Sequence, residues 1–368
     1  MNDVVVIVKR DTAALPADTL DILLILTDAK IEAAVYTSLE AAEAGLGKES
    51  AGYKKVKALF SQEKARPVPE KLIQSIKVVG FADITTPESL IAAIKEYQKS
   101  DNDWYFFMTD KSEDEYIEAL AAFAENSEPT EIELKSGVED HRKVYFGQTS
   151  NKELKVSHAR AAVIYTENLD EHADAAWIGA VGPWYPQYVT WKFKMPAGMT
   201  YPALSADEIK ALENNSVNFV TNEYKRNYIK NGMCSDGEFI DSVIGGDLVG
   251  KKNPGGNFNV VFGYWLAKEI RGRIYDVFMD NPIIPYGDNG FTQVGAAVLQ
   301  AMNSAAKNNI IAVDQGTGMG IYSVVIPKWE DSTEEQRRKR IMPDITWKAQ
   351  LAGAVHSATV RGTLSVEL

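Results

Sequence analysis

Strand-like and helix-like segments alternate along residues 21–150, and this order most constrains the fold. Ile22–Leu26 is strand-like, and Tyr53–Phe60 is helical by composition and spacing. Ile76–Phe81 is strand-like again. Thr86-Pro87-Glu88-Ser89 then opens a helix, with Thr as the cap, Pro in the first position and Glu in the first turn. Ile91, Ile94 and Tyr97 give that helix its apolar stripe. Trp104–Met108 reads as a buried strand. Ser112 starts an acidic helix through Ala124, with Tyr116, Leu120 and Phe123 inward. Val144–Phe146 and Ala161–Tyr165 are further strands, and an Ala-rich helix follows near 173–180. A strand that repeatedly returns through a helix predicts a mostly parallel α/β sheet with right-handed crossovers.

After Gly182-Pro183 the texture changes. Ser205 and Glu208 form a capping box for a helix to about Glu213. Asn218–Val220 is a short strand. Long helices are expected over Phe258–Phe278, with Val261, Trp265, Ile270 and Ile274 among its apolar positions, and over Thr292–Lys307. Asp344–Leu351 and a Gly turn lead to the last stretch, Ser357–Leu368. There Ala358, Val360, Leu364, Val366 and Leu368 share one face of a period-2 pattern, and polar residues share the other. The chain starts with Val4–Val8, apolar on both faces, and no hairpin partner follows directly. Both ends therefore carry β segments whose partners must be distant in sequence or on another chain.

Composition narrows the function classes. The 368 residues are 45% hydrophobic and 24% charged, which excludes a mainly disordered chain and suffices for two or three domains. The single cysteine, Cys234, excludes an intramolecular disulfide framework. No apolar run approaches the length needed to span a bilayer, and the first residues do not read as a secretory signal. A net charge of −12 disfavours nucleic acid as a main partner.

No catalytic constellation emerges. Gly245–Lys252 nearly fits a phosphate-binding loop, but Lys252 stands where a hydroxyl should hold magnesium, and Asn253-Pro254-Gly255-Gly256 cannot form the helix that should follow. Gly316-Thr317-Gly318-Met319-Gly320 follows the strand-like Ile310–Val313 and precedes the strand-like Ile321–Ile326, so it reads as a turn between strands. His141, His158, His172 and His356 have no ligand spacing. Asp170-Glu171-His172 reads as a solvated helix start, and Cys234 as a buried or inert thiol. No enzyme activity, cofactor or metal is expected. The strongest basic run, Arg337-Arg338-Lys339-Arg340, follows acidic residues 331–335 and fits the C-terminal end of a short helix, where cations suit the dipole. It is also a candidate for docking onto an acidic surface.

The order of these landmarks resembles the contractile tail sheath family of bacteriophages and related particles, including R-type bacteriocins. The resemblance rests on the opening β arm with its Thr-Ala-Ala stretch, the strand Leu20–Leu26, the helix 52–62, and Leu204–Phe219. It continues through Gly237-Glu238-Phe239-Ile240-Asp241 with Gly246-Asp247, Arg273-Ile274-Tyr275, Ile284–Gly290, and Leu351–His356 with Gly362-Thr363-Leu364. It covers nearly the whole chain. Where the family carries an aromatic and often an Arg, this chain has Gly245 and Leu248-Val249, and it is short for the family.

The resemblance implies an N-terminal β arm (1–20), an outer α/β domain (21–200), an inner α+β domain (201–356) and a C-terminal β arm (357–368). Val4, Val6, Val8, Val360, Leu364 and Val366 would lie on arms exchanged between subunits. Arg337, Arg338, Lys339 and Arg340 would face a tail tube. The implied partners are further copies in a helical polymer of hexameric rings, the tail tube, and baseplate and terminator proteins, with no nucleic acid and no membrane insertion. The implied location is a virion tail or bacteriocin particle, assembled in the bacterial cytoplasm. Alternatives are another assembly component, such as a tail-tube or capsid protein, or an α/β enzyme using nucleotide near Gly245–Lys252.

Charge is unevenly spread. Residues 101–140 hold 13 acidic and 2 basic side chains, whereas residues 301–368 hold 7 and 8. The acidic stretch is expected to face the exterior, and the near-neutral C-terminal part is free to face an acidic tube.

Overall fold

The structure is a computed structural model. It describes residues 22–69, 71–102, 104–127, 142–184, 189–223, 226–241, 243–244, 264–350 and 352. The terminal arms and Gly245–Lys252 lie outside these residues.

The first strands to form the sheet are β1 (Ile22–Leu26), β2 (Ile31–Tyr36), β3 (Ile76–Gly80) and β4 (Phe106–Thr109). With them come the helices α1 (Leu39–Leu46), α2 (Ala51–Phe60), α3 (Pro87–Gln98) and α4 (Asp114–Glu125). Next are β5 (Val144–Thr149), β6 (Ala161–Tyr165), α5 (Ala173–Val181), α6 (Ala206–Asn214), β7 (Asn218–Glu223) and β8 (Arg226–Lys230). All eight strands form one sheet in the order β2-β3-β1-β4-β5-β6-β7-β8. Neighbours from β3 to β7 pair parallel, and β2 and β8 close the two edges antiparallel. The fold is therefore α/β with a mostly parallel sheet, as expected. The sheet takes its last two strands from beyond residue 200.

Strand periodicity divides the core into two layers. Ile22, Leu24 and Leu26 of β1 join one buried cluster, with Val56 and Leu59 of α2 and Trp177 and Ile178 of α5. Leu23 and Ile25 join the other, with Leu90 and Ile94 of α3, Tyr116 and Leu120 of α4, and Leu212 of α6. Continuous apolar sequence in a parallel strand thus means cover on both faces. The helix starts follow their sequence signals. Thr86 and Ser89 form a reciprocal cap, as do Ser205 and Glu208. The acidic helix begins later than expected, at Asp114. Its cap position, Glu113, makes no side-chain hydrogen bond to the helix start.

On the first face, α2 and α5 pack without a side chain between them. A Cβ added at Gly179 would sit 2.1 Å from the Leu59 carbonyl oxygen, so only glycine permits this approach. Beside it, Phe106, Phe146, Trp177 and Trp191 stack edge-on or tilted, with centroids 4.8–5.6 Å apart. The same helices share an ion pair. Lys55 Nζ of α2 lies 2.7 Å from Asp174 Oδ2 of α5, and both side chains are 2% exposed. Lys55 also donates to the Thr109 carbonyl at the end of β4.

The first cluster continues into the C-terminal part, through Leu266, Ile270 and Ile274 of α7 (Tyr264–Asp280) and Val298 and Met302 of α8 (Asp288–Lys307). The expected start of α7, residues 258–263, and Val261 with it, lie outside the described residues. A small antiparallel sheet pairs β9 (Tyr322–Val325) with β10 (Thr346–Ala349), and the short helix α9 (Glu334–Lys339) lies between them in sequence. The expected strand at Ile310–Val313 is reduced to isolated pairing, because Asp314 turns the chain immediately. Its Oδ1 accepts from the amides of Gly316 and Thr317 and from the Thr317 hydroxyl. The Gly316–Gly320 segment is the expected turn, closed by an antiparallel bridge between Val313 and Gly320.

Gly179→Ala is expected to destabilise the fold by roughly 1–3 kcal/mol through overpacking of α2 on α5. Lys55→Met, which strands a buried carboxylate, is expected to cost roughly 3–5 kcal/mol, whereas Lys55→Met with Asp174→Leu should recover most of that loss. Urea unfolding of the three variants measures both effects.

Candidate interaction surface

Doubly wound sheets usually bind ligands outside the carboxyl ends of their strands, where the strand order reverses. Here that point lies between β1 and β4, because β3 pairs with the opposite edge of β1. The chain fills it with its own groups. The Thr27 amide donates to Asp110 Oδ2 at 2.9 Å, and its hydroxyl to Oδ1 at 3.0 Å. Burial raises the Asp110 pKa, and the Thr27 hydrogen bonds oppose that rise.

Next to it, the Lys55–Asp174 pair occupies the first turn of α5. That is where a free helix start would attract an anion. The Ala173 amide is taken by Gln148 Oε1 at 2.8 Å and the Ala175 amide by Asp174 Oδ1 at 2.8 Å. The sequence reading puts His172 on a solvated helix start. Instead it caps α5 in the left-handed region, with φ 49° and Nε2 buried, and burial lowers its pKa. Thr27, Asp110, Lys55, Asp174 and Gln148 are engaged with one another or with the backbone, which makes the crevice a structural joint, whereas His172 Nε2 has no hydrogen-bond partner among the described residues. Cys234 is buried, as expected. Among the described residues no cluster of three or more possible metal ligands occurs, and no helix is long and apolar enough to cross a membrane.

The C-terminal part carries a second group of surface features. The β9–β10 sheet has two strands, so each has one edge without a strand partner among the described residues. The chain passes beside this sheet as it nears its end. The Ala312 amide donates to the Gln350 carbonyl at 2.7 Å, and the Ala352 amide to the Ile310 carbonyl at 3.0 Å. The residues expected to form the C-terminal arm, Val360, Leu364 and Val366 among them, follow in sequence. Those three residues, like Val4, Val6 and Val8, fall outside the described residues.

The basic run closes α9, as its spacing predicts. Thr333 and Gln336 cap the helix start, and Arg340 ends it in the left-handed region. The four cations differ in their engagement. Arg337 lies over the Trp329 ring at 4.5 Å, and Lys339 pairs with Glu335 at 2.6 Å. Arg338 and Arg340 are exposed and have no side-chain partner among the described residues.

The structure adds apolar neighbours that the sequence reading did not single out. Trp329 is 47% exposed and Ile341 45% exposed. The Trp329 amide donates to Asp288 at the start of α8, and Tyr286 Oη donates to the Ile341 carbonyl at 2.9 Å. These bonds hold α9 against the loop between α7 and α8, where Ile283 is 77% exposed. Cations surrounding an exposed Trp and Ile have the composition of a protein-docking surface. The signal available in sequence was Trp329 eight residues before Arg337, which becomes meaningful only once the intervening turn folds back.

No protein-family model and no curated protein matches the chain. Solved structures do. A chain of the anti-feeding prophage (AFP) baseplate, from its 6-fold symmetrised cryo-EM structure, aligns over 98% of this chain and 98% of its own, at 10% identity and a TM-score of 0.58. A sheath tail protein from Desulfitobacterium hafniense aligns over 86% of this chain and 93% of its own, at 8% identity and a TM-score of 0.47. At such low identity, shared fold is what the AFP likeness establishes. End to end, the chain therefore shares its fold with that AFP baseplate chain.

Proposed function

We propose that the chain is a structural subunit of a contractile tail sheath or a related contractile injection particle. It polymerises helically around a tail tube and contracts to drive that tube through a cell envelope. The observation that carries this reading is the likeness to the AFP baseplate chain, which spans 98% of both chains. The filled crevice at the end of β1 and β4 supports a scaffold role over an enzymatic one. Residues 1–20 and 357–368 act as exchanged arms, with Val4, Val6, Val8, Val360, Leu364 and Val366 supplying their apolar faces. The edges of β9 and β10 that have no strand partner among the described residues are the proposed acceptors, since strand addition takes its adhesion from backbone hydrogen bonds and its register from alternate side chains. A head-to-tail contact that does not close yields a helix, as a tail sheath requires.

The two-part division at about residue 200 belongs to this proposal, with the β7–β8 hairpin joining the outer sheet. Arg337, Arg338, Lys339 and Arg340 face an acidic tube, and the acidic stretch 101–140 faces outward. The particle is a phage tail or a bacteriocin-like device assembled in the bacterial cytoplasm. A second reading, favoured by the likeness to a baseplate chain, puts the subunit at the baseplate end of the tail.

Removing residues 1–10 should leave a subunit with unchanged circular dichroism that no longer sediments as polymer; normal tubes from that deletion would contradict the arm assignment. Arg338→Glu with Arg340→Glu should weaken co-sedimentation with the tail tube by roughly tenfold and reduce its salt dependence. Unchanged binding would remove the basic run from the tube contact.

A further inference from the structure

His158 lies in the connection between β5 and β6, and two glutamates of α4 grip its ring from either side. Nδ1 is 2.5 Å from Glu125 Oε2, and Nε2 is 2.9 Å from Glu118 Oε1. The two glutamates are seven residues apart, so they stand on one face of the helix two turns apart, and the imidazole spans the gap. The backbone of His158 is held as well. Its amide donates to Ser235 Oγ at 3.0 Å, and Ser235 Oγ donates back to its carbonyl at 3.1 Å. Ser235 sits in the turn after β8, and its own amide donates to the Ala161 carbonyl at the start of β6 at 2.7 Å. The Ala159 amide donates to the other oxygen of Glu125. One residue therefore joins the helix α4, the entry to β6 and the segment that leaves the sheet.

The chemistry of this arrangement fixes a proton count. A neutral imidazole has one N–H and one lone pair. It can donate to one glutamate, and it then points a lone pair at the other. Only imidazolium donates to both. We propose that His158 is a proton-operated latch that locks the C-terminal half of α4 to the β5–β6 connection when charged and loosens it when neutral.

The charged groups facing the ring are Glu118 and Glu125 of α4; the group supplied by the turn after β8 is the uncharged Ser235 hydroxyl. Burial alone would lower the His158 pKa, but hydrogen bonds and charge from the two glutamates outweigh it and raise the pKa above its ordinary value. Burial pushes the Glu125 carboxyl up, and the His158 and Ala159 hydrogen bonds reverse that and leave it lowered. A histidine with a raised folded-state pKa stabilises the structure fully below its unfolded pKa of about 6.5. That stabilisation is lost as pH rises through the higher, folded value. The latch is closed in mildly acid solution and opens as pH rises through that folded value.

The test uses the full chain. Nitrogen-15 NMR of the imidazole should show both ring nitrogens protonated at pH 6.5, with a midpoint above 6.5. Hydrogen exchange at residues 120–127, corrected for intrinsic rates, should speed up several-fold between pH 6 and pH 9 in the wild type. It should not change in His158→Gln. The effect stays well below a hundredfold because Glu118 and Glu125 are 53% and 45% exposed, and water screens the pair. A ring that titrates at or below 6.5, or a His158→Gln variant whose exchange profile retains the wild-type pH dependence, overturns the proposal. If that variant does not fold, the wild-type ring titration alone decides.

Discussion

The Lys55 ammonium has left water for a site where one carboxylate and one carbonyl replace its hydration shell. Its position depends on everything around it: α2 must lie against the sheet, α5 must approach through Gly179, and β4 must end at Thr109. A buried ion pair of this kind adds little net stability, but a wrong arrangement that separates its partners is heavily penalised. It therefore acts as a registration device for the first face of the sheet. The second face has no equivalent at its centre among the described residues and relies on apolar contact between α3, α4 and the strands.

This joint also fills the crevice at the switch point of the sheet. Its place in the sheet is where doubly wound enzymes keep phosphates and cofactors. Here the helix-start amides of α5, the threonines at the strand ends and the nearby carboxylates are turned inward onto one another. A domain arranged in this way is a rigid block. The C-terminal part exposes edges of β9 and β10 without a strand partner among the described residues, a Trp beneath an Arg, and two further arginines at the end of α9. Rigid block and adhesive rim are what a subunit of a polymer needs.

Much of the fold was legible in the sequence because local rules acted alone. Apolar runs gave β1, β3, β4, β5 and β6, and the caps at Thr86 and Ser205 gave the starts of α3 and α6. What escaped were features set by the finished packing. β2 is an edge strand with mostly exposed residues, so its pattern carries little hydrophobic signal. The Lys55–Asp174 contact joins residues 119 positions apart, and nothing in either neighbourhood marks its partner. The interaction surface divided similarly: the basic run was plain as a charge pattern, but its aromatic support at Trp329 depends on a fold-back. His158 offered no motif because its partners belong to a helix that the chain reaches 33 and 40 residues earlier. Ile310–Val313 looked like a strand because its residues favour one, and Asp314 ends the pairing through its turn chemistry.

The central claim is that this chain is a polymer subunit built around a tube. Electron microscopy of the purified full-length protein, assembled without any partner, tests it most directly. The account predicts long helical tubes with a lumen wide enough to hold an inner tube. A protein that stays monomeric at every concentration, or that forms only closed particles without an axial lumen, would contradict it.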